Sequence, residues 1–274
     1  MRTILITGCS SGIGYHAAHH LKSLGWRVFA TCRAEEDVAR LNQEGLESLR
    51  LDYEEPASIE AAWTEVMRRT DGTLDALFNN GAYAIPALIE DLPVAALRQH
   101  FEANLFGWHD LTQRAVRVMR EQGHGRIVQC SSVLGFMTTK FRGSYSATKH
   151  ALEAMTTALR LEMRGTGVHV SLIQPGPIRT DFRLNSRKQF DRWIDWRASP
   201  QSARYDKLTQ RLYAETAKPD AFELGPEAVT GKLLRALEDR NPKARYPVTK
   251  VTVFTALALR VLPARLSEWM MSKG

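Results

Sequence analysis

The chain has 274 residues, 44% of them apolar and 24% charged, which excludes disordered and fibrous classes and fits one large soluble domain or two small ones. Its net charge of +7 is uneven, because residues 179–211 hold nine Lys/Arg against four Asp and residues 232–274 hold nine against three acids. Cys9, Cys32 and Cys130 are too few and too odd in number for a disulfide framework, so a reducing, cytoplasmic setting is expected.

No apolar run reaches the length of a bilayer span, and the first residues lead into a strand rather than a signal peptide. Short apolar strands are predicted at 3–6, 27–31, 47–51, 74–78, 126–130 and 168–173. Helices are predicted between them at 12–24, 35–44, 56–69, 94–120 and 144–164. Such alternation implies an α/β fold, a parallel sheet covered by helices on both faces.

Polar or glycine-bearing motifs follow four of these strands. They are Thr7-Gly8, Asn79-Asn80-Gly81, Ser131-Ser132 and Pro175-Gly176-Pro177. An open parallel sheet binds ligands outside the carboxyl ends of its strands, so these clusters belong to one crevice. The first runs Thr7-Gly8-Cys9-Ser10-Ser11-Gly12-Ile13-Gly14, between a strand and a helix. Glycines there allow a tight turn and close approach by a pyrophosphate, and the helix amino end offers unpaired N–H groups.

Tyr145 and Lys149 lie four apart on a predicted helix and share a face. A free phenol titrates near pKa ~10, so exchange near neutral pH needs a drop of roughly 3 units, about 4 kcal/mol. A neighbouring cation acts in that direction. Ser132, at a strand end, can reach the same point. A phenol, an ammonium and a hydroxyl converging on one spot can reduce a carbonyl or oxidise an alcohol. Taken alone, the Tyr145–Lys149 spacing is short enough to be chance; the other motifs give it weight.

These motifs together resemble the short-chain dehydrogenase/reductase family over residues 3–180. Its T-G-x-x-x-G-x-G is matched by Thr7, Gly8, Gly12 and Gly14, its Y-x-x-x-K by Tyr145 and Lys149, and its upstream serine by Ser132. Its helix asparagine is matched by Asn104 before Leu-Phe-Gly107, and its P-G-x-x-x-T by Pro175, Gly176 and Thr180. One departure stands out: the family's N-N-A-G is Asn79-Asn-Gly-Ala82 here. The resemblance implies a Rossmann-type doubly wound sheet and a catalytic tetrad of Asn104, Ser132, Tyr145 and Lys149. It implies nicotinamide cofactor contacts from Gly8, Ser10, Ser11, Gly12, Ile13, Gly14, Asp52, Asn79, Gly81, Tyr145, Lys149, Pro175, Gly176, Ile178 and Thr180. In the family the asparagine bends its helix and holds a water behind the lysine. Arg33, where a carboxylate would bind the ribose hydroxyls, favours NADP, because an arginine makes a bidentate contact with a phosphate.

Beyond residue 180, Phe182, Phe190, Trp193, Trp196, Tyr205, Leu208 and Tyr213 stand among Arg and Lys. This reads as a mobile helical lid over 181–225 for an apolar substrate, with packing beneath a helical hairpin as the competing reading. A helix at 226–239, a strand near 245–249 and a basic apolar tail broken by Pro263 complete a single domain. The tail caps the pocket or lies on a membrane surface, with docking on its own domain the plainer reading. His16, His19 and His20 lack a metal-ligand pattern, and no metal or nucleic acid is expected. The Val28–Arg33 strand and the tail resemble the branch holding NADP-dependent aldehyde reductases and 17β-hydroxysteroid and retinol dehydrogenases. The expected activity is NADP(H)-dependent hydride transfer on an apolar aldehyde, ketone, steroid or retinoid, by a homodimer or homotetramer. The competing readings are a 3-oxoacyl thioester reductase and a non-catalytic NADP sensor.

Overall fold

Residues 1–214 and 222–272 are described by the computed structural model. The expected strands form as β1 (Thr3–Thr7), β2 (Arg27–Cys32), β3 (Glu47–Arg50), β4 (Ala76–Asn79), β5 (Gly125–Cys130), β6 (Val168–Gln174) and β7 (Arg245–Pro247). β1 is buried at every position, as a strand covered on both faces must be. All pairings are parallel, in the order β3-β2-β1-β4-β5-β6-β7. Only the edge strand β7 carries a proline, where a missing N–H costs no ladder bond. The strand order reverses between β1 and β4, which opens a crevice at the carboxyl edge.

The covering helices are α1 (Gly12–Ser23), α2 (Glu35–Gln43), α3 (Pro56–Arg69), α4 (Val94–Phe101), α5 (Gly107–Gln122), α6 (Gly143–Glu162), α7 (Phe182–Trp193), α8 (Asp206–Tyr213), α9 (Pro226–Glu238), α10 (Lys250–Val261) and α11 (Ala264–Ser272). Pro56 and Pro226 open their helices at the first turn, where no N–H is needed. The single helix expected over 94–120 is instead two helices joined by a π-turn, Glu102–Phe106. Periodicity cannot register the extra residue of such a turn. The turn carries Asn104 inward, where its amide nitrogen donates to the Tyr83 carbonyl at 2.9 Å and its oxygen accepts from the Tyr83 N–H at 3.3 Å.

Two apolar clusters form. The larger packs the sheet against its helices. The smaller joins Tyr83, Ile85, Ala87, Leu88, Ala96 and Ala103 to Phe190, Ile194, Tyr205 and Leu212 of the 181–225 region. Most aromatics expected to line a substrate therefore pack beneath the helices instead: Phe190 and Tyr205 are fully buried, and Trp193, Trp196 and Leu208 pack against them. Phe182 differs, standing edge-on to Tyr145 at 5.4 Å. Part of the expected lid, residues 215–221, lies outside the described residues.

Among the described residues, Asp91 is a latch for this region. The Tyr205 hydroxyl donates to Asp91 at 2.6 Å and accepts from the Leu88 N–H at 3.0 Å, while Ser199 donates to Asp91 at 2.9 Å. Tyr205→Phe leaves the Leu88 N–H unsatisfied and Asp91 with only its Ser199 bond, and should lower stability by about 1–3 kcal/mol, read as a lower urea midpoint.

Candidate active site

Ser132 stands two residues beyond β5 and caps the short turn Val133–Gly135, its hydroxyl accepting from the Leu134 N–H at 3.1 Å. The Val133 N–H donates to the Pro175 carbonyl at 2.7 Å, which joins the loops after β5 and β6. Tyr145 sits in the first turn of α6, buried, with the Ser132 hydroxyl acting on its phenol. Lys149, one turn on, is 1% exposed. Its ammonium donates to the Cys130 carbonyl at 2.9 Å and stands 4.1 Å from the centroid of the Trp108 ring. It lies 5.7 Å from the Tyr145 ring. Asn104 reaches Thr148, the residue before Lys149, at 3.4 Å. The four members of the expected tetrad are thus brought to one place.

Their electrostatics depart from the expectation. The Tyr145 pKa is not lowered: burial pushes the phenol up, the Cys130 thiol adds to that, and the Ser132 hydroxyl pulls the other way. Burial also acts on Lys149, drawing it from 10.5 down to about 8. The ammonium is aimed at a backbone carbonyl and an aromatic face rather than at the phenol. The phenol is accordingly a proton holder here, not a ready phenolate.

The glycine turn fits a dinucleotide. Ser11 stands at the amino cap of α1 without its side chain capping the helix, so the first N–H groups are left for a ligand. Gly12, at φ +59°, faces Thr180 so closely that a Cβ would come within 2.9 Å of its methyl group. Glycine turn and β6 loop therefore meet at one wall of the crevice. Ser10 is held from behind by Arg40, which donates to its carbonyl at 2.7 Å. Hydrogen bonds on either side of Ile178 tie it to Leu224, so in parallel pairing its own N–H and C=O point to the opposite side. Gly176 is wedged against Thr249.

The exchanged order in Asn79-Asn-Gly-Ala82 has a packing reason. A Cβ on Gly8 would fall 2.4 Å from the Gly81 Cα, and one on Gly81 would fall 3.2 Å from Gly8. Glycine at 81 relaxes a contact that an alanine would tighten. The Gly81 carbonyl also accepts from the Trp108 indole at 2.9 Å.

Other expected cofactor residues lie further back. The Asn79 side chain turns into the core, bonded to the Tyr53 hydroxyl at 2.7 Å and to Thr112 at 3.0 Å. It braces the end of β4 rather than facing the crevice; its neighbour Asn80 instead donates to the Thr7 and Gly8 carbonyls. The Asp52 carboxylate closes a local turn on the Glu54 N–H at 3.0 Å. Arg33 is exposed after β2, 5.9 Å from the Tyr83 ring centroid. His16 and His19 pair with Thr230 and Glu44, and among the described residues no His, Cys, Asp and Glu group is arranged to hold a metal.

Two residues escape sequence reasoning. Trp108 carries no motif, yet it is the shelf under Lys149. His100 is fully buried and stacked between Tyr83 at 5.3 Å and Tyr145 at 6.2 Å. Its Nε2 meets the Tyr83 carbonyl at 2.9 Å, so that nitrogen carries the hydrogen. Nδ1 is left without a partner among the described residues. Burial lowers its pKa to about 4, so it adds no charge beside Tyr145 at neutral pH. Its only signal in the sequence is its place one helical turn before Asn104.

Residues 2–191 match the short chain dehydrogenase family. The chain belongs to that family and is an oxidoreductase of its type, built to bind a nicotinamide cofactor and a substrate. It is 41% identical over 268 residues to the uncharacterized oxidoreductase YbbO of Escherichia coli K12, covering 97% of this chain and 93% of that one. It is 30% identical over 276 residues to an NADPH-dependent 3-dehydrocapnine reductase of Ornithobacterium rhinotracheale, covering 98% and 95%. It is 31% identical over 262 residues to human 17-beta-hydroxysteroid dehydrogenase type 1, covering 90% and 77%.

A lysine whose pKa falls on folding costs stability wherever both states carry the charge. Between about 8 and 10.5 the unfolded chain binds the extra proton, so stability rises with pH there. Lys149→Met should therefore unfold at higher urea than the parent at pH 7. The gap should narrow as pH passes from about 8 towards 10.5.

Proposed function

We propose that the protein moves hydride between NADP(H) and the carbonyl or alcohol of an apolar aldehyde, ketone, steroid- or retinoid-like substrate. One observation carries this: a buried phenol whose pKa the Ser132 hydroxyl pulls down, one helical turn from the buried Lys149 ammonium. The nicotinamide supplies the hydride when bound. Ser132 holds the carbonyl oxygen. Tyr145 gives that oxygen its proton as negative charge develops on it. A phenol kept protonated by burial suits this direction, and the Ser132 hydroxyl, which favours the ionised form, steadies the phenolate left behind. Lys149 binds the nicotinamide ribose and, as a cation, favours that phenolate. Its charge is lost as pH rises through about 8, so dinucleotide affinity falls above that pH. Asn104, locked to Tyr83 and Thr148, stands behind the lysine and sustains the return of a proton from solvent.

Gly8, Ser10, Ser11, Gly12, Ile13 and Gly14 hold the pyrophosphate, with Pro175, Gly176, the Ile178 backbone and Thr180 around the carboxamide. Asp52, Gly81 and the Asn79 backbone border the adenosine. Arg33, exposed beyond β2, takes the 2′-phosphate. The NADPH-dependent relative supports this choice. The edge-on Phe182 beside Tyr145 supports an apolar substrate. The basic charge over residues 179–211 favours a second reading, a 3-oxoacyl thioester on an acidic carrier. The ratio of kcat/KM for a free oxoacyl thioester and an aliphatic aldehyde separates the two. The buried, unpaired thiols accord with a cytoplasmic enzyme, and pairing through α5 and α6 would give a dimer or tetramer.

Tyr145→Phe should abolish NADPH oxidation against a carbonyl panel while NADPH binding, followed by its fluorescence, stays near the parent value. Retained turnover would remove Tyr145 as the donor. Arg33→Ala should cut the preference for NADPH over NADH by about 10–100-fold, the worth of one charged hydrogen bond of roughly 1.5–3 kcal/mol. An unchanged ratio would place the phosphate elsewhere.

A further inference from the structure

α10 reverses the usual burial of an amphipathic helix. Its inward face is Thr252, Thr255 and Ala258, small and partly polar. Its outward stripe is Val253, Phe254, Leu257 and Val261, which are 42%, 67%, 59% and 78% exposed. These positions share one helix face. A helix folded only against its own domain would turn the larger apolar side chains inward. α11 adds Leu266 and Trp269, 52% and 60% exposed. Six such side chains leave on the order of 500 Å² of apolar surface, near the top of the range for a monomer and the range in which patches are functional.

The charges around the stripe are mostly basic. α10 contains Lys250 and Arg260 and no acid, and α11 adds Arg265 and one acid, Glu268. No helix among the described residues is long and apolar enough to cross a membrane. We propose that α10 and α11 dock the protein on an anionic lipid surface, lying in the interface with Phe254, Leu257, Val261 and Trp269 turned towards the acyl boundary. Anionic headgroups attract each nearby Lys or Arg by about 1 kcal/mol. A second copy of the chain fits less well. A two-fold contact through the α10 stripe brings Lys250 and Arg260 of both copies into one interface with no acid on that helix.

Docking here has a consequence for the site. Thr249 caps α10, accepting from the Thr252 N–H at 3.2 Å, and the same hydroxyl abuts Gly176. α10 also packs against the Val133–Gly135 turn beside Ser132. The helix is thus seated on the loops after β5 and β6. A lipid surface on its outer stripe lies close to the carboxyl edge of the sheet, where an apolar carbonyl compound dissolved in the bilayer could reach Tyr145. Only this last step rests on the proposed function; the docking does not.

The test is co-sedimentation of the full chain with phosphatidylcholine vesicles and with phosphatidylcholine–phosphatidylserine vesicles. The chain should sediment with the phosphatidylserine vesicles, and high salt should weaken the binding. Phe254→Asp combined with Leu257→Asp should lower that partition at least tenfold. Turnover of a water-soluble aldehyde and the mass measured by light scattering should stay at parent values. If the double variant fails to fold, Lys250→Glu with Arg260→Glu should give the same loss on phosphatidylserine vesicles. Absence of sedimentation, partition unaffected by the variants, or a variant that falls to a smaller oligomer would each overturn the proposal; the last would assign the stripe to a second copy. Failure to turn over any carbonyl would overturn the proposed function and leave vesicle binding standing.

Discussion

A buried ammonium pressed against an indole ring is the contact on which the site depends. Lys149 ties α6 to the end of β5 through the Cys130 carbonyl and rests on Trp108. Trp108 in turn donates to the Gly81 carbonyl, and Gly81 meets Gly8 at the glycine turn. One line of contacts therefore runs from the Tyr145–Lys149 pair to the expected pyrophosphate cradle. A charge taken out of water is costly, and a cation facing an aromatic ring and a carbonyl recovers part of that cost. The Lys149 pKa is accordingly lowered, with burial as the main cause.

The phenol next to it shows how burial and neighbours compete. A nearby cation alone would lower Tyr145, but desolvation acts on every charged form and is the larger effect here. The imidazole stacked on Tyr145 is kept neutral by the same burial. The charges acting on the phenol are therefore the cations Lys149 and Arg142, not His100. In a low-dielectric site the Ser132 hydroxyl dipole beside them has a strengthened effect.

The part of the chain after residue 180 divides into two regimes. α7 and α8 use their aromatics to make a second small core around Tyr205 and latch it on Asp91. α10 and α11 do the opposite and leave aromatics and leucines facing outward. Both stretches read alike as basic, aromatic sequence. Which face meets the body of the protein separates them, and that is a property of the assembled domain.

The strands and most helices were legible because buried parallel strands need continuous apolar runs and their connecting helices need a 3.6 period. The convergence of Ser132, Tyr145 and Lys149 was legible because they sit at fixed offsets on a strand end and a helix, and Asn104 stands in a short motif. The sequence alone determined, in addition, where the glycine turn falls and that Arg33 rather than a carboxylate follows β2. Tertiary structure decided what local pattern cannot carry. The π-turn at Glu102–Phe106 adds one residue to a helix without altering its apolar period. Trp108 and His100 gain their roles from contacts with residues far along the chain, and Asn79 is drawn inward by Tyr53 and Thr112. The direction of the Tyr145 pKa depends on how completely the fold removes water from it, a sum over neighbours that a spacing of four residues does not encode.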